Sequence, residues 1–204
     1  MLSQDLIRLI RSKAISDSDL QRATIFTLDA VANALAGRNT APGQKLLRWG
    51  ALQGADAGRH ALVAGGLTHI LETDDLHRAS VTHPGCVVPP AVFAVAEREG
   101  SSGIDVLRAI LQGFEAMCRV GMGVGGAHYR IWHNTATCGP YGSAVAAAHL
   151  LDLSEEQAVH AFGNAGTQSA GLWQFLETGA MSKHLHAGRA AEAGIVAADL
   201  AALG

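Results

Sequence analysis

The sequence has few charged residues and no run of basic ones. Charged residues make up 16% of the 204 residues, and 15 Lys and Arg stand against 18 Asp and Glu, for a net charge of −3. Nucleic acids and anionic membranes attract proteins through clustered Lys and Arg. We therefore expect neither nucleic acid nor membrane among its partners.

Cysteine is also scarce. Cys86, Cys118 and Cys138 are odd in number and lie far apart without a C-x-x-C pair, which argues against a disulfide framework and against a cysteine-held zinc or iron–sulfur site. The N-terminal stretch MLSQDLIRLIRSKAI carries charges and has no small-residue cleavage site, unlike a signal peptide. No apolar run reaches the roughly eighteen residues of a membrane span. We expect a cytoplasmic protein with reduced thiols.

What the sequence has in quantity is apolar residues. They form 49% of the chain, and the mean hydropathy is +0.18. With so few charges, much of the surface must be apolar or covered by a partner. This composition favours an obligate homo-oligomer or a neighbouring domain over a self-sufficient monomer.

Helical periodicity dominates the pattern, and no stretch shows the alternation of a strand. We predict an all-α fold, with a single domain over 1–204. Ser16 or Ser18 begins a helix that runs to about Ala36, and another helix runs from Ala61 to about Asp74. The predicted starts and stops further along are Pro89 and Pro90 in a first turn, a stop at Gly100 and a cap at Ser102.

The 24 glycines are unusual for helices, because each costs up to about 1 kcal/mol in a helix interior relative to Ala. Close approach of neighbouring helices offsets that cost, so we predict tight, Gly/Ala-rich helix packing. The glycines within helical patterns are Gly65, Gly66, Gly113, Gly121, Gly142, Gly163, Gly166, Gly188 and Gly194.

The first polar cluster is ETDDLHRASVTHP, residues 72–84. We interpret Asp74, His77 and Arg78 as turn or solvated residues. Turn chemistry does not require so many titratable groups, so we favour a functional role for the other three, which are Glu72, Asp75 and His83. Metal binding ranks below acid–base chemistry, since the spacing matches no metal motif.

Two further clusters contain histidine or basic residues. In GGAHYRIWHNTATCGP, a glycine-flanked loop places His133 and Thr135 just ahead of a helix, where free N–H groups favour an anion; a plain cap with a packed His133 is equally consistent. In KHLHAGR, the cations Lys183, His186 and Arg189 stand at a helix start, which favours anion binding over a solvated surface. Glu115 and Arg119, four residues apart, predict a structural ion pair.

Together these groups suit removal of a proton next to a carboxylate, with cations to hold the substrate. The chain has no nucleotide-binding glycine motif, no G-x-S-x-G and no P-loop. We therefore predict no cofactor and no metal.

The sequence resembles the N-terminal helical part of the MmgE/PrpD family, which includes 2-methylcitrate dehydratase, cis-aconitate decarboxylase and iminodisuccinate epimerase. The segments that carry the resemblance are ALVAGGLTHILETDDLHRASVTHPGCVVPPAVFAVAE, GFEAMCRVG, WHNTATCGPYGSAVAAAHLLDLS and KHLHAGRAAEAGIVAADLAALG. The resemblance implies a metal-independent enzyme that acts on a small di- or tricarboxylate.

The family motifs also suggest roles for individual residues. The resemblance implies catalytic roles for five side chains, which are His83, His133, Lys183, Asp75 and Glu72. The expected substrate-binding residues are His69, Thr135, His186 and Arg189.

The sequence departs from the family pattern in three ways. Glu72 stands where Asp is usual, and Leu76 replaces the usual Thr. The resemblance also implies a chain about twice as long, with a C-terminal α+β domain that contributes to the site. Either a partner chain completes the site here, which the apolar composition favours, or the sequence is a truncated copy, or it works with half a site. Three functions stay open: a dehydratase or decarboxylase, an epimerase or isomerase, and a non-catalytic assembly subunit with a vestigial pocket.

Overall fold

Helices make up nearly all the regular structure of the computed structural model, which describes residues 1–204, and the all-α prediction is confirmed. The only β pairing consists of two isolated bridges, His77 with Thr82 and Trp132 with Leu172. A 3-10 turn spans Pro84–Cys86. The helices are α1 (Leu2–Ser12), α2 (Asp17–Gly37), α3 (Ala41–Ala51), α4 (Ala57–His69), α5 (Val88–Glu99), α6 (Gly103–Tyr129), α7 (Asn134–Leu150), α8 (Glu155–Gly166), α9 (Phe175–Thr178) and α10 (Lys183–Ala202).

Three predicted helix boundaries coincide with a local cap. Ser16 forms a capping box with Asp19 at the start of α2, and the Ser102 side chain accepts a hydrogen bond from the N–H of Asp105. Gly100 ends α5 in the left-handed conformation, with φ at 68°. Each boundary depends on residues within one turn of it.

Two elements differ from the sequence prediction. Helix α4 begins at Ala57, after an Asp56 cap, rather than at Ala61, and it ends at His69 rather than near Asp74. Glu72 lies in the left-handed region with φ at 55°, which a right-handed helix does not accommodate. Helix α6 continues through Tyr129 with a kink at Gly125, where φ is 69° and ψ is −177°. The segment predicted as a glycine-flanked loop before His133 is thus largely helical.

Helix α7 lies at the centre of the fold. Fourteen of its seventeen residues are buried, and it packs against α5, α6, α8 and α10. Its small residues allow that close packing: Gly142 and Gly113 face each other, and a Cβ added at Gly113 would lie 2.8 Å from the Gly142 carbonyl oxygen. A buried helix carries its first residues inside, so His133 and Asn134 are buried too.

The predicted close approach of helical glycines is present at most of these positions. A Cβ at Gly188 of α10 would lie 2.2 Å from the Leu62 carbonyl oxygen of α4, and Gly65 of α4 packs on Gly188 in return. Gly163 is the exception, with no atom within 4 Å of an added Cβ. The packing of α4 on α10 brings the end of α4 next to the start of α10.

The remaining sequence features have direct structural counterparts. The predicted ion pair between Glu115 and Arg119 is present at 2.7 Å. All three cysteines are free thiols, with Cys86 and Cys138 buried. No helix combines the length and the hydropathy that crossing a bilayer requires.

Candidate active site

Histidines converge where three helix ends meet. His69 is the last residue of α4, His133 immediately precedes α7, and Lys183 opens α10, with His186 on its first turn. The segment between α4 and α5 adds Glu72, Asp74 and His83. We name the set His69, Asp74, His83, His133 and His186 the histidine cluster.

Asp74 is at the centre of this cluster, which corrects the prediction that it is a solvated turn residue. Its carboxylate is fully buried and lies 2.9 Å from Nδ1 of the equally buried His69. The same oxygen lies 3.5 Å from Nδ1 of His83. Although burial raises the pKa of Asp74, the hydrogen bond from His69 and the charges of both histidines outweigh it and lower the pKa below its usual value.

His69 is packed between the two histidines predicted to be catalytic. Its ring centroid lies 4.8 Å from that of His83 in an edge-on contact, and 5.8 Å from that of His133 in a stacked one. Burial lowers the pKa of His83, and the Asp74 charge opposes that effect. The His83 side chain is 17% exposed, so it has access to the space outside the cluster.

His133 has a more enclosed environment. Its Nδ1 lies 3.2 Å from Nδ1 of His186, and its ring packs against Trp173 and Phe175. Burial, followed by the positive charges of His69 and Lys183, lowers the pKa of His133 to about 2. The ring is therefore neutral at physiological pH.

Lys183 and Glu72 form an ion pair at the edge of the cluster. Oε1 of Glu72 also lies 3.8 Å from Nε2 of His69. The Glu72 side chain is 47% exposed, and that of Lys183 is 22% exposed. This pair therefore lies between the buried histidines and the outside.

Hydrogen bonds to the first turn of α7 hold the His83 segment in place. The Thr135 hydroxyl, fully buried, accepts a hydrogen bond from the backbone N–H of His83 at 3.1 Å. The Asn134 amide donates to the Ser80 carbonyl at 2.8 Å. Thr135 thus contacts the backbone of the site and not its open side, although the sequence predicted it to bind substrate.

Asp75 lies apart from the histidine cluster. Its carboxylate accepts the backbone N–H of Gly85 at 2.7 Å and lines a separate cavity of about 560 Å³ together with Arg119 and Cys118. Burial, with the nearby Asp74 charge, raises the pKa of Asp75 to about 7. No ion pair or side-chain hydrogen bond joins Asp75 to the histidines, so the geometry does not support a shared catalytic role.

Arg189 also points elsewhere. Its guanidinium pairs with Glu192 and lines a groove of about 770 Å³ that includes Trp49 and Arg59. The lining of that groove contains none of the histidine cluster and not Lys183. We therefore locate the candidate site by its side-chain chemistry and not by volume.

The histidine cluster includes a set of possible metal ligands. One atom each from His69, Asp74 and His83 lies within 4.8 Å of the others, and two imidazoles with a carboxylate suit zinc or iron(II). The 2.9 Å contact from His69 to Asp74 is the distance of an ordinary charge-assisted hydrogen bond. We interpret the three side chains as a hydrogen-bonded group, and the absence of a metal stays a prediction.

Sequence reasoning missed the aromatic wall of the site. Trp173 and Phe175 lie in the segment before α10, and the backbone N–H of His133 donates to the carbonyl of Gly171 at 2.9 Å. Gly171 has φ at 130°, and an added Cβ would lie 2.4 Å from Ala136, so a side chain there would be strained. The glycine within AGLWQF was the available signal.

The profile of the MmgE/PrpD N-terminal domain matches residues 5–204. The chain belongs to the MmgE/PrpD family. The resemblance seen in the sequence is thereby confirmed.

Several curated MmgE/PrpD relatives are similar to this chain. Cis-aconitate decarboxylase of Aspergillus terreus is 31% identical over 202 residues, which cover 89% of this chain and 41% of the relative. Cis-aconitate decarboxylase of Homo sapiens is 33% identical over 156 residues, 71% of this chain and 31% of that protein. The cis-aconitate decarboxylase-like protein oryM of Aspergillus oryzae is 35% identical over 136 residues, 62% of this chain and 28% of that protein. The chain spans less than half the length of these relatives.

Proposed function

We propose that this chain provides the helical part of the active site of a metal-independent lyase. Its substrate is a small di- or tricarboxylate such as cis-aconitate or 2-methylcitrate, and the reaction is a decarboxylation or a dehydration. One observation carries the proposal: His83 and His133 pack on His69, next to the ion pair of Lys183 and Glu72.

The charges near the cluster suit an anionic substrate. Lys183 is a mobile point charge that binds carboxylates, and it stands in the first turn of α10. Helix α7 also begins at the cluster, with His133 preceding its first turn. Helix N-termini favour negative groups, and because the first turn of α7 is buried, the start of α10 is the position open to a substrate carboxylate.

His83 is the better candidate for proton transfer. A base works best when its pKa is near the working pH, and burial holds the pKa of His133 near 2. His83 combines partial exposure with a carboxylate 3.5 Å from its Nδ1. We assign proton transfer to His83 and assign to His133 the role of a neutral hydrogen-bonding group beside the substrate.

Both reactions move one proton at a carbon near a carboxylate. In decarboxylation, the C–C bond to the leaving CO₂ breaks and its electron pair passes into the adjacent unsaturated acid, which then takes a proton. In dehydration, a base removes the proton next to the carboxylate, and hydroxide leaves as water after gaining a proton. Protonated His83 suits the first reaction, and neutral His83 suits the second.

A partner completes the proposed enzyme. The relatives of known name are more than twice as long as their matched regions, which are 41%, 31% and 28% of those proteins. We propose that the rest of the site lies outside these 204 residues, on a second copy of the chain, on a separate polypeptide of the C-terminal-domain type, or on both.

The direct test is turnover by the purified chain, alone and with any polypeptide that co-purifies from its native host. Proton NMR follows cis-aconitate and 2-methylcitrate, and distinguishes loss of CO₂ from loss of water. We expect turnover to fall by about 10²–10⁴ in His83→Gln, as for loss of a general acid–base group. Lys183→Ala is expected mainly to raise KM.

Two matched variants control for histidine and lysine loss. His160→Gln removes an exposed histidine of α8, and Lys45→Ala removes a lysine of α3; both should retain turnover. Deuterium uptake from solvent without net product would instead identify an epimerase. If neither turnover nor deuterium uptake is seen, with or without the partner, the lyase and epimerase functions are both contradicted. The non-catalytic assembly role is then the function that fits.

A further inference from the structure

We propose that Asp74 is a positioning residue that accepts hydrogen bonds from Nδ1–H of both His69 and His83. This arrangement fixes His83 in the tautomer with a free Nε2. Its catalytic consequence rests on the function proposed above, but the tautomer itself does not.

The burial of Asp74 is the first argument. Its side chain has no exposed surface, and an ionised carboxylate in such a place requires several donors. Both of its oxygens lie near Nδ1 of His69, at 2.9 and 3.1 Å. A second N–H donor beside Oδ2 would add a hydrogen bond that stabilises the buried negative charge.

His83 is the donor that lacks a partner. Its Nδ1 is buried and makes no hydrogen bond, and it lies 3.5 Å from Oδ2 of Asp74. A shift of about half an ångström brings this pair to an ordinary N–H···O distance. Nδ1 of His83 thereby gains the acceptor it lacks, and Oδ2 of Asp74 gains a donor in addition to His69.

The shared carboxylate determines the state of both rings. A carboxylate only accepts hydrogen bonds, so each Nδ1 that faces Asp74 must bear the proton while the ring is neutral. The lone pair of His83 is then on Nε2, available to take a proton. When it does so, the adjacent negative charge of Asp74 stabilises the imidazolium, as the buried aspartate does in serine-protease triads.

Asp74 cannot itself contact a substrate. It is 6% exposed, and its fully buried side chain lies against His69, His83 and the Cys86 thiol. Its effect must pass through His83, so a change at Asp74 should alter the rate of proton transfer much more than substrate binding.

The test is long-range ¹H–¹⁵N NMR on the chain labelled with ¹⁵N-histidine, at pH 8. The His83 signals are assigned by their loss in His83→Gln. We expect wild-type His83 to show a protonated Nδ1 and an unprotonated Nε2. In Asp74→Asn, which has one amide oxygen in place of two carboxylate oxygens, we expect a substantial population with the proton on Nε2.

Asp75→Asn is the matched control for the spectrum, because its carboxylate bonds to Gly85 and not to a histidine. It should leave the His83 tautomer unchanged. Where turnover is measurable, Asp74→Asn should lower kcat by about 10²–10⁴ while KM changes by less than about threefold.

A wild-type His83 with its proton on Nε2 would overturn the proposal, and this measurement requires no variant to fold. An unchanged tautomer in a folded Asp74→Asn chain would overturn it as well. A chain without lyase activity but with the expected tautomers would contradict the proposed function and leave the positioning role intact.

Discussion

Glu72 combines an unfavourable backbone with a favourable ion pair. Its φ of 55° is in the left-handed region, which is uncommon for a residue with a side chain. That backbone directs the carboxylate to Lys183. Glu72 therefore pairs with Lys183, the cation that we propose binds the substrate.

We expect Glu72→Gln to bind cis-aconitate about two- to fivefold more tightly than the wild type, because the substrate no longer competes with a side chain of like charge. Isothermal titration calorimetry on the purified chain measures this without turnover. Glu155→Gln, which removes a remote partner of Arg8, should have no effect. Weaker binding in Glu72→Gln would mean that Glu72 contacts the substrate directly.

The lowered pKa of His133 predicts that the fold is sensitive to acid. The unfolded chain takes up a proton near pH 6.5, whereas burial keeps the native ring neutral down to about pH 2. Its contribution to stability is thus complete above pH 6.5 and decreases as the pH falls below that value. Each pH unit costs up to about 1.4 kcal/mol of unfolding free energy.

Urea denaturation between pH 7.5 and 4.5 tests this effect. His133→Gln should show a smaller loss of unfolding free energy with falling pH than the wild type. His160→Gln, on the exposed side of α8, should retain the wild-type slope. A wild-type slope in His133→Gln would show that other groups cause the acid sensitivity.

For single residues, the sequence indicated which residue types come together in the candidate site but not which of them is buried. Asp74 and Asp75 are adjacent and both fit a turn, yet Asp74 bonds to His69 and lies 3.5 Å from Nδ1 of His83, while Asp75 faces Gly85. The distinction depends on where α4 ends. His69 and Asp74 are five residues apart, and only a chain that leaves the helix between them can fold the carboxylate back onto Nδ1.

At the scale of elements, the approach of α4 to α10 determines the site, because it brings His69 near Lys183. We expect Gly188→Ala to lower the unfolding free energy by about 1–3 kcal/mol or more, since the new Cβ would lie 2.2 Å from the Leu62 carbonyl. Thermal or urea unfolding measures the change. Stability equal to the wild type would show that the two helices separate easily.

Gly163→Ala is the matched control within a helix. Nothing lies within 4 Å of an added Cβ there, and the position is exposed on α8. We expect this variant to gain up to about 1 kcal/mol, because alanine has the higher helix propensity. The two substitutions are expected to change the unfolding free energy in opposite directions, which separates the effect of close packing from that of helix propensity.

The elements were predictable where local chemistry decides. Ser16, Gly100 and Ser102 are caps that act within one turn, so the pattern alone located them. The ends of α4 and α6 depend on tertiary contacts instead. The ion pair of Glu72 with Lys183 joins residues 111 positions apart, and no local signal reports it.

For the whole molecule, the composition predicted uncovered apolar surface, and α2 has it. Ile25, Leu28 and Leu35 lie along one side of α2 with exposed fractions of 67%, 68% and 53%. The spacing of three and seven residues makes this a continuous stripe. Phe26 packs against Phe114 of α6, so the helix is anchored by a different side.

Such a stripe predicts self-association, since apolar surface exposed on this scale is normally covered by a partner. We expect sedimentation velocity to give a species heavier than the 21.1 kDa chain. The double variant Leu28→Glu/Leu35→Glu should shift it to the monomer, because the charges would be buried unpaired at the interface. Ile104→Glu, an exposed apolar position on α6, should leave the assembly intact. A wild-type chain that sediments as a monomer, or an assembly that survives the double variant, would show that copies of this chain do not meet through α2.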